Sequence, residues 1–183
     1  MKLKTMALAL FTGFGTLGAA GNATAQAEAP SFTFASIEGD TIDTAAFRGQ
    51  PVLVVNTASL CGFAPQLEGL QKLHEDYGPK GLVVLAVPSD DFAQELDSAK
   101  EVSEFCTLTY GITLPMTDIT PVTGENAHPF YKWVKEQTGF APRWNFNKVL
   151  IDGAGNVVET WGSFTKPGSG AIRRAFEPLL PGA

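Results

Sequence analysis

The sequence has few residues that could carry redox or metal chemistry. Its only cysteines are Cys61 and Cys106, and no CxxC pair is present, which argues against a dithiol–disulfide oxidoreductase. Its only histidines, His74 and His128, stand apart, and no two candidate ligands have the short spacing that is typical of a metal site. We therefore expect no bound metal ion.

Basic residues are also few. Lys and Arg number 13 against 19 Asp and Glu, which gives a formal net charge of −6, and no basic run is present. An acidic chain without a basic cluster lacks the electrostatic footprint of a nucleic-acid-binding protein. It is equally unsuited to an anionic membrane surface. We therefore predict neither kind of partner.

The apolar stretch near the start is short for a membrane span, but it resembles a secretory signal. A basic start, MKLK, precedes a glycine-broken apolar stretch at 6–21, and small residues follow in NATAQA. We predict a signal peptide over residues 1–25, cleaved after Ala25 or Ala27; an uncleaved membrane anchor is the alternative. Cleavage removes two lysines and no acidic residue, so the net charge becomes −8. The expected location is the bacterial periplasm or the exterior, with no membrane association after cleavage.

The remaining residues, 28–183, have a suitable length for one well-packed domain. Two apolar segments rich in β-branched residues predict buried strands at 52–56 and 82–87. The segment between them has leucines at helical spacing, which predicts a helix over 65–77. A strand–helix–strand unit with such strands indicates parallel pairing.

The other elements follow from alternation, helical spacing and turn residues. They are a hairpin within 31–42, helices near 98–108, 126–137 and 167–180, and a second hairpin over 147–161. This order predicts an α/β domain with a thioredoxin-like fold, in which a central mixed sheet is flanked by helices.

Cys61 stands between the strand 52–56 and the helix 65–77. In a βαβ unit, catalytic residues lie beyond the carboxyl ends of the strands. Backbone N–H groups at a helix start favour a thiolate, and Gly62 would let a substrate approach closely. Cys61 is therefore a candidate nucleophile. Half of a structural disulfide and a buried core residue are the alternatives, since exported proteins commonly pair their cysteines.

Four ordered stretches resemble the glutathione peroxidase family in its cysteine-containing bacterial form. They are NTASLCGFAPQLEGLQKL, FCTLTYGITLPM, GENAHPFYKW and RWNFNKVLIDGAGNVVE, and the likeness covers about 30–180. The resemblance implies a thiol-dependent peroxidase that reduces hydrogen peroxide and organic hydroperoxides, with Cys61 as the peroxidatic cysteine. It also implies that Trp144 and Asn145, of the W-N-F motif, hold the thiolate and the reacting oxygen. Both side chains carry N–H donors, which stabilise developing negative charge.

The sequence departs from the family pattern after the second strand. The usual motif F-P-C-N-Q-F, whose Gln joins the catalytic cluster, is replaced by VPSDDF, with Ser89, Asp90 and Asp91 in place of Cys, Asn and Gln. A carboxylate beside a thiolate raises the pKa of the thiol. Asp91 therefore turns away, is protonated, or gives a slower or altered enzyme. Gln66 and Gln94 are possible replacement donors, although we expect both on the surface.

Cys106 lies in EFCTLTYG, in the predicted helix 98–108. The resemblance implies a resolving cysteine at this place in thioredoxin-dependent members; the alternative is a buried helix thiol. A disulfide needs Cα atoms within about 7 Å, so we expect that a helix-borne Cys106 reaches Cys61 only after local unfolding.

The resemblance implies a catalytic cycle carried by sulfur, with no metal, haem or flavin cofactor. The Cys61 thiolate attacks the hydroperoxide and becomes sulfenic acid, Cys106 condenses with it, and a thioredoxin-like protein reduces the disulfide. If Cys106 does not resolve, glutathione or another thiol attacks Cys61 directly. The short connection over 131–144 is typical of monomeric members. The alternative is a non-catalytic exported redox sensor or binding protein that has lost the complete catalytic tetrad.

Overall fold

The structure, a computed structural model, describes residues 29–182. The predicted signal peptide and its cleavage positions lie outside the described residues. Within 29–182, every helix is too short or too polar to cross a membrane.

The described part of the chain begins with a small antiparallel hairpin and continues into a four-stranded mixed sheet. The hairpin consists of β1 (Thr33–Ala35) and β2 (Thr41–Asp43). The strands of the larger sheet are β3 (Val52–Thr57), β4 (Val83–Pro88), β5 (Lys148–Ile151) and β6 (Val157–Trp161). Their order is β4-β3-β5-β6, with β3 parallel to β4 and antiparallel to β5. The predicted parallel unit, both hairpins and the mixed sheet are confirmed.

Within residues 29–182, four α-helices cover the two faces of this sheet, which confirms the predicted thioredoxin-like α/β fold. They are α1 (Gln66–Tyr77), α2 (Ala99–Tyr110), α3 (Pro129–Thr138) and α4 (Gly170–Phe176). One buried cluster joins α1, α2 and α4 to the face that carries Leu53, Val55 and Leu150. A second cluster joins α3 and β1 to the face that carries Val52, Val54 and Val149.

The last helix is shorter than the predicted 167–180. It begins after Ser169, whose hydroxyl accepts a hydrogen bond from the Ile172 N–H, and it ends at Phe176. A 3-10 turn, Glu177–Leu179, follows. Pro178 has no N–H with which to continue the helical hydrogen bonds, so the apolar spacing beyond it does not extend the helix.

The strand directions bring three loops together at one edge of the sheet. The carboxyl ends of the parallel strands β3 and β4 lie at this edge, together with the amino end of the antiparallel strand β5. The segments at this edge are therefore 58–65 after β3, 89–98 after β4 and 143–147 before β5. Cys61, Asp91, Trp144 and Asn145 belong to these segments.

Candidate functional site

Cys61 lies in a turn between β3 and α1 and is only 5% exposed. Helix α1 begins at Gln66, so the sulfur precedes the first helical residue by five positions. The backbone N–H of Phe63 donates a hydrogen bond to Cys61 Sγ over 3.4 Å, and the Ala64 N–H donates to the Cys61 carbonyl over 2.8 Å. The turn, rather than the helix itself, thus supplies the donor that favours negative charge on sulfur.

Asn56, in β3, holds the W-N-F segment against the strand that leads to Cys61. The fully buried Asn56 side chain donates from Nδ2 to the Trp144 carbonyl over 3.1 Å and accepts at Oδ1 from the Asn147 N–H over 3.0 Å. The Phe146 N–H donates to the Asn56 carbonyl over 2.6 Å. The sequence alone does not predict this role, because Asn56 is one polar residue in an apolar strand.

Phe146 has an unusual backbone conformation for a buried aromatic residue. Its φ is +62°, in the left-handed region that bulky residues rarely adopt, and its side chain is fully buried. Backbone strain of this kind persists only where the surrounding contacts impose it. Here the bonds from Asn56 and the buried ring fix the turn and therefore the neighbouring Trp144 and Asn145.

Gln94 joins the loop after β4 to the other two segments. Its carbonyl accepts a hydrogen bond from the N–H of Leu60, the residue before Cys61, over 2.9 Å. Its Oε1 accepts from Asn145 Nδ2 over 3.1 Å. Gln94, which we expected on the surface, is half-buried, and its amide is bonded to the fully buried Asn145. Gln94 therefore adjoins both the Cys61 turn and the W-N-F segment.

Asp91 stands at the position of the family's Gln, and its carboxylate bonds to two backbone amides of a distant segment. Its Oδ2 accepts hydrogen bonds from the backbone N–H groups of Val122 and Thr123 over 2.6 and 2.8 Å. Of the three expected outcomes for Asp91, the structure shows the first, in which the carboxylate turns away. This geometry corrects the placement of Asp91 in the cluster, since Gln94 supplies the amide bonded to Asn145.

Trp144 and Asn145 lie at the predicted edge of the sheet, with different exposure. Trp144 is 41% exposed and packs its ring against Phe92, with centroids 5.5 Å apart. Asn145 is fully buried, and its Oδ1 has no hydrogen-bond partner among the described residues. Neither side chain donates a hydrogen bond to Cys61 Sγ in the part of the chain that the structure describes. The roles of both residues in holding the thiolate and oxygen stay predictions.

Cys106 is a buried, free thiol on α2, and Cys61 is also free. Both cysteines belong to the same buried cluster. Burial and the nearby carboxylate of Glu95 raise the pKa of Cys106 to about 12, which the hydroxyl of Ser59 partly offsets. Glu95 itself accepts the N–H of Ser59 over 2.9 Å. Cys106 therefore packs behind the Cys61 turn as a neutral thiol.

Gln66, which we also expected on the surface, is half-buried and hydrogen-bonded at both ends of its amide. Its Nε2 donates to the Ser163 carbonyl over 2.7 Å, and its Oε1 accepts from Lys148 Nζ over 2.6 Å. Lys148 is fully buried. The sequence did not indicate this, because a lysine in the first position of an apolar strand is usually expected to extend into solvent. Gln66 thus ties the first turn of α1 to β5 and to the segment after β6.

An open groove of about 870 Å³ begins at Gly62, the residue after Cys61. Its walls are the first turn of α1 with the residues just before it and the segment 164–169, and its lining includes Gly62, Phe63, Pro65, Phe164 and Pro167. The rings of Phe63 and Phe164 meet edge to face with centroids 5.2 Å apart, although Phe164 is 88% exposed. The groove is therefore largely apolar and accessible from solvent.

The architecture and the buried thiol at the sheet edge define a thioredoxin-fold protein with a single-cysteine site. The family model of glutathione peroxidase matches residues 30–135. The chain therefore belongs to the glutathione peroxidase family, as its sequence motifs predicted.

Individual relatives agree with this membership. The chain is 42% identical to the glutathione peroxidase of Lactococcus lactis subsp. cremoris (strain MG1363) over 74% of its length and 90% of the relative. It is 38% identical to the hydroperoxy fatty acid reductase gpx1 of Synechocystis sp. (strain ATCC 27184 / PCC 6803 / Kazusa), over 86% of the chain and 99% of that protein. The crystal structure of Trgpx in its apo form superposes with a TM-score of 0.64 at 30% identity, covering 84% of this chain and 100% of that one. The predicted class of activity, a thiol-dependent peroxidase, is confirmed.

Proposed function

We propose that this thiol peroxidase uses Cys61 as its peroxidatic cysteine and the Gln94–Asn145 pair as its polar partner. The observation that carries the proposal is the convergence of three loops at Cys61. The Leu60 N–H is bonded to Gln94, and Gln94 is bonded to Asn145. The two side-chain amides thus belong to segments that are bonded to the turn of a low-exposure thiol, and fixed dipoles of this kind stabilise negative charge as it develops.

In the first step, the Cys61 thiolate attacks the terminal oxygen of the hydroperoxide and the O–O bond breaks. The sulfur becomes a sulfenic acid, and the alkoxide or hydroxide that leaves takes up a proton to give alcohol or water. The amide groups of Gln94, Asn145 and the indole N–H of Trp144 are the donors available to the sulfur and the leaving oxygen.

In the second step, the Cys106 thiol condenses with the Cys61 sulfenic acid, forming the disulfide and releasing water. A thioredoxin-like dithiol then reduces the bridge by exchange. If Cys106 remains buried, glutathione attacks the sulfenic acid instead and a mixed disulfide forms. Since Cys106 and Cys61 share one buried cluster, the intramolecular route is the one we favour.

The substrates proposed are hydrogen peroxide and organic hydroperoxides. The apolar groove beside Cys61 has room for the organic part of a bulky hydroperoxide. A relative named hydroperoxy fatty acid reductase supports this range. The non-catalytic alternative rested on Asp91 in the cluster, and the observed position of its carboxylate removes that support.

The function is tested by peroxide consumption with thioredoxin and glutathione systems compared side by side. We expect wild type to consume hydrogen peroxide and cumene hydroperoxide, and the Cys61→Ser variant to lose both activities. Equal consumption by the two proteins would exclude Cys61 as the peroxidatic residue. A Cys61–Cys106 bridge in peptide mass spectra of peroxide-treated protein would support resolution, whereas sulfinic acid on Cys61 without any bridge would oppose it.

We also propose that the protein is exported by a bacterial signal peptide, cleaved after Ala25 or Ala27, and works as a monomer. The basic start and apolar stretch support export. N-terminal sequencing of the protein from a periplasmic fraction tests the cleavage, and an intact Met1 would contradict it. Light scattering of the purified protein tests the monomer.

A further inference from the structure

Glu95 is a buried carboxylate beside the segment that carries Cys61, and the proposed cycle does not use it. It belongs to the loop after β4 and is only 7% exposed. Its Oε1 accepts hydrogen bonds from the backbone N–H groups of Ser59 and Leu96, both over 2.9 Å. It forms no salt bridge with any basic residue among residues 29–182. A buried carboxylate without a cation is costly, and a neutral amide could accept the same two bonds, so the ionisable group calls for a function.

Ser59 brings a hydroxyl group to the same place. It stands two residues before Cys61, in the segment after β3, and is 5% exposed. Its Oγ has no hydrogen-bond partner among the described residues. The hydroxyl nevertheless lies near enough to Glu95 and Cys106 to lower the pKa of both groups, as a donor to either one does. Its proton is therefore uncommitted, and the two groups that it faces are a carboxylate and a thiol.

Cys106 faces this pair from α2, in the buried cluster that also contains Cys61. Burial raises the pKa of the Cys106 thiol to about 12, the Glu95 carboxylate adds to the rise, and the Ser59 hydroxyl opposes it. Burial also raises the pKa of Glu95, its hydrogen bonds lower it, and the carboxylate of Asp90 adds to the rise. A carboxylate with a raised pKa is a better proton acceptor near neutral pH than an ordinary one.

We propose that Glu95 accepts the proton of Cys106 during resolution, through the hydroxyl of Ser59. In this step the Cys106 sulfur is oxidised and forms a bond to the Cys61 sulfur, which is reduced as its bond to the sulfenic oxygen breaks. The thiol proton passes through the Ser59 hydroxyl to the Glu95 carboxylate. Glu95 then returns a proton by the same path to the leaving hydroxide, so that one water is released and the carboxylate is restored.

The proton acceptor stays with Cys61 when Cys106 moves. Glu95 is bonded to Ser59, in the segment that carries Cys61, and it precedes the first residue of α2. An opening of α2 therefore leaves the carboxylate beside the sulfur that Cys106 must reach. The inference rests on the proposed function, since it requires Cys106 to be the resolving thiol.

The first experiment measures the rate of Cys61–Cys106 bridge formation in Glu95→Gln and the wild type, after one equivalent of hydrogen peroxide and across a series of pH values. The amide still accepts the Ser59 and Leu96 N–H groups, but it cannot take up a proton. We expect a rate at least about tenfold lower at neutral pH, since a positioned acceptor contributes roughly 10²–10⁴-fold and the opening of α2 hides part of this. The rate in the variant should also rise about tenfold per pH unit, because the thiol then loses its proton to solvent, whereas the wild-type rate should rise less steeply. A merely structural role would not change this slope.

Glu104→Gln is the matched control, because it removes an exposed carboxylate from the helix that carries Cys106, and it should behave as the wild type. Equal rates and equal pH slopes in Glu95→Gln and the wild type would overturn the proposal. A wild type that consumes peroxide without forming any bridge would refute the resolving role of Cys106 itself, and the proposal with it. The two failures are distinguishable, since one is seen in the variant and the other in the wild type.

Ser59→Ala covers the case in which Glu95→Gln does not fold. It removes the hydroxyl alone, and the backbone N–H of residue 59 still donates to Glu95. We expect bridge formation to be about tenfold slower, as for a lost proton-transfer group, while formation of the Cys61 sulfenic acid, trapped with dimedone, keeps its wild-type rate. A wild-type rate of bridge formation in folded Ser59→Ala would exclude the relay and overturn the proposal.

Discussion

The side-chain amide of Asn145 donates a hydrogen bond to Gln94 Oε1 over 3.1 Å. Asn145 precedes β5, and Gln94 follows β4, so this bond spans the strand β3 that lies between them. Because the Gln94 carbonyl also accepts the Leu60 N–H, the pair fixes the position of the residue just before the thiol.

We expect Gln94→Ala to lower kcat/KM for hydrogen peroxide by about a hundredfold to a thousandfold, the range seen when a preorganised donor is removed. Steady-state kinetics measures this change. Asp91→Ala is the matched control, since its carboxylate bonds to the Val122 and Thr123 N–H groups. It should retain the rate and lose about 1 kcal/mol of stability, as for a lost cap. A slow Asp91→Ala enzyme beside a normal Gln94→Ala enzyme would reverse our assignment.

Loosening α2 should accelerate formation of the Cys61–Cys106 disulfide. Val102 is buried on this helix, and truncating it to Ala removes packing that keeps Cys106 in place. We expect bridge formation after one equivalent of peroxide to become severalfold faster in Val102→Ala, because opening of α2 precedes the reaction. Quenched-flow mass spectrometry gives the rate. Leu108→Ala, at a position 84% exposed on the same helix, should behave as wild type. Equal rates in both variants would mean that opening is not limiting.

The free energy of unfolding should pass through a maximum between about pH 9 and 10.5, where two opposing proton linkages cancel. The pKa of Lys148 falls from 10.5 to about 7 on folding, so the unfolded chain binds more protons in this window and the free energy of unfolding rises with pH. The pKa of Cys106 rises from 9.0 to about 12 on folding, so the unfolded thiol loses its proton first and the contribution of Cys106 to stability falls above pH 9.

Urea denaturation of the reduced protein from pH 6 to 11 measures both effects. Lys148→Met should flatten the rise between pH 7 and 9, and Cys106→Ala should move the maximum to higher pH. Profiles of the same shape in all three proteins would contradict the link between these two groups and stability.

The groove beside Cys61 should distinguish large from small substrates. Phe164 is 88% exposed and forms one wall with Phe63, so its ring offers apolar surface to a bulky hydroperoxide. We expect Phe164→Ala to lower kcat/KM for cumene hydroperoxide by about tenfold, which corresponds to roughly 1.4 kcal/mol of lost apolar contact. The value for hydrogen peroxide should stay unchanged. Val158→Ala removes an exposed apolar side chain on β6, away from the groove. An equal loss for both substrates would exclude a role in selectivity.

The sequence predicted the elements that are specified by local pattern. The strands β3 and β4 are largely apolar runs. The helices α1, α2 and α3 have apolar residues at helical spacing and are bounded by residues typical of turns or caps. The end of α4 was missed because Pro178 overrides the apolar spacing.

The site was only partly predictable, for a different reason. Motifs located Cys61, Trp144 and Asn145, but the loop after β4 is shaped by distant contacts. Ala93 adopts φ of +53°, and the Asp91 carboxylate binds amides more than thirty residues away. The family motif aligned with VPSDDF therefore did not reveal that Gln94, three residues after Asp91, is the residue bonded to Asn145.

Asn56 gives the reaction centre a mechanical property that the helices do not share. Because its side chain belongs to the central strand β3 and bonds on both sides of Asn145, to Trp144 and Asn147, the distance between the two halves of the site is set by the sheet itself. Cys106, by contrast, is carried by a helix that can detach without breaking any strand pairing. The protein can thus release its second thiol while the surface that receives the peroxide keeps its shape.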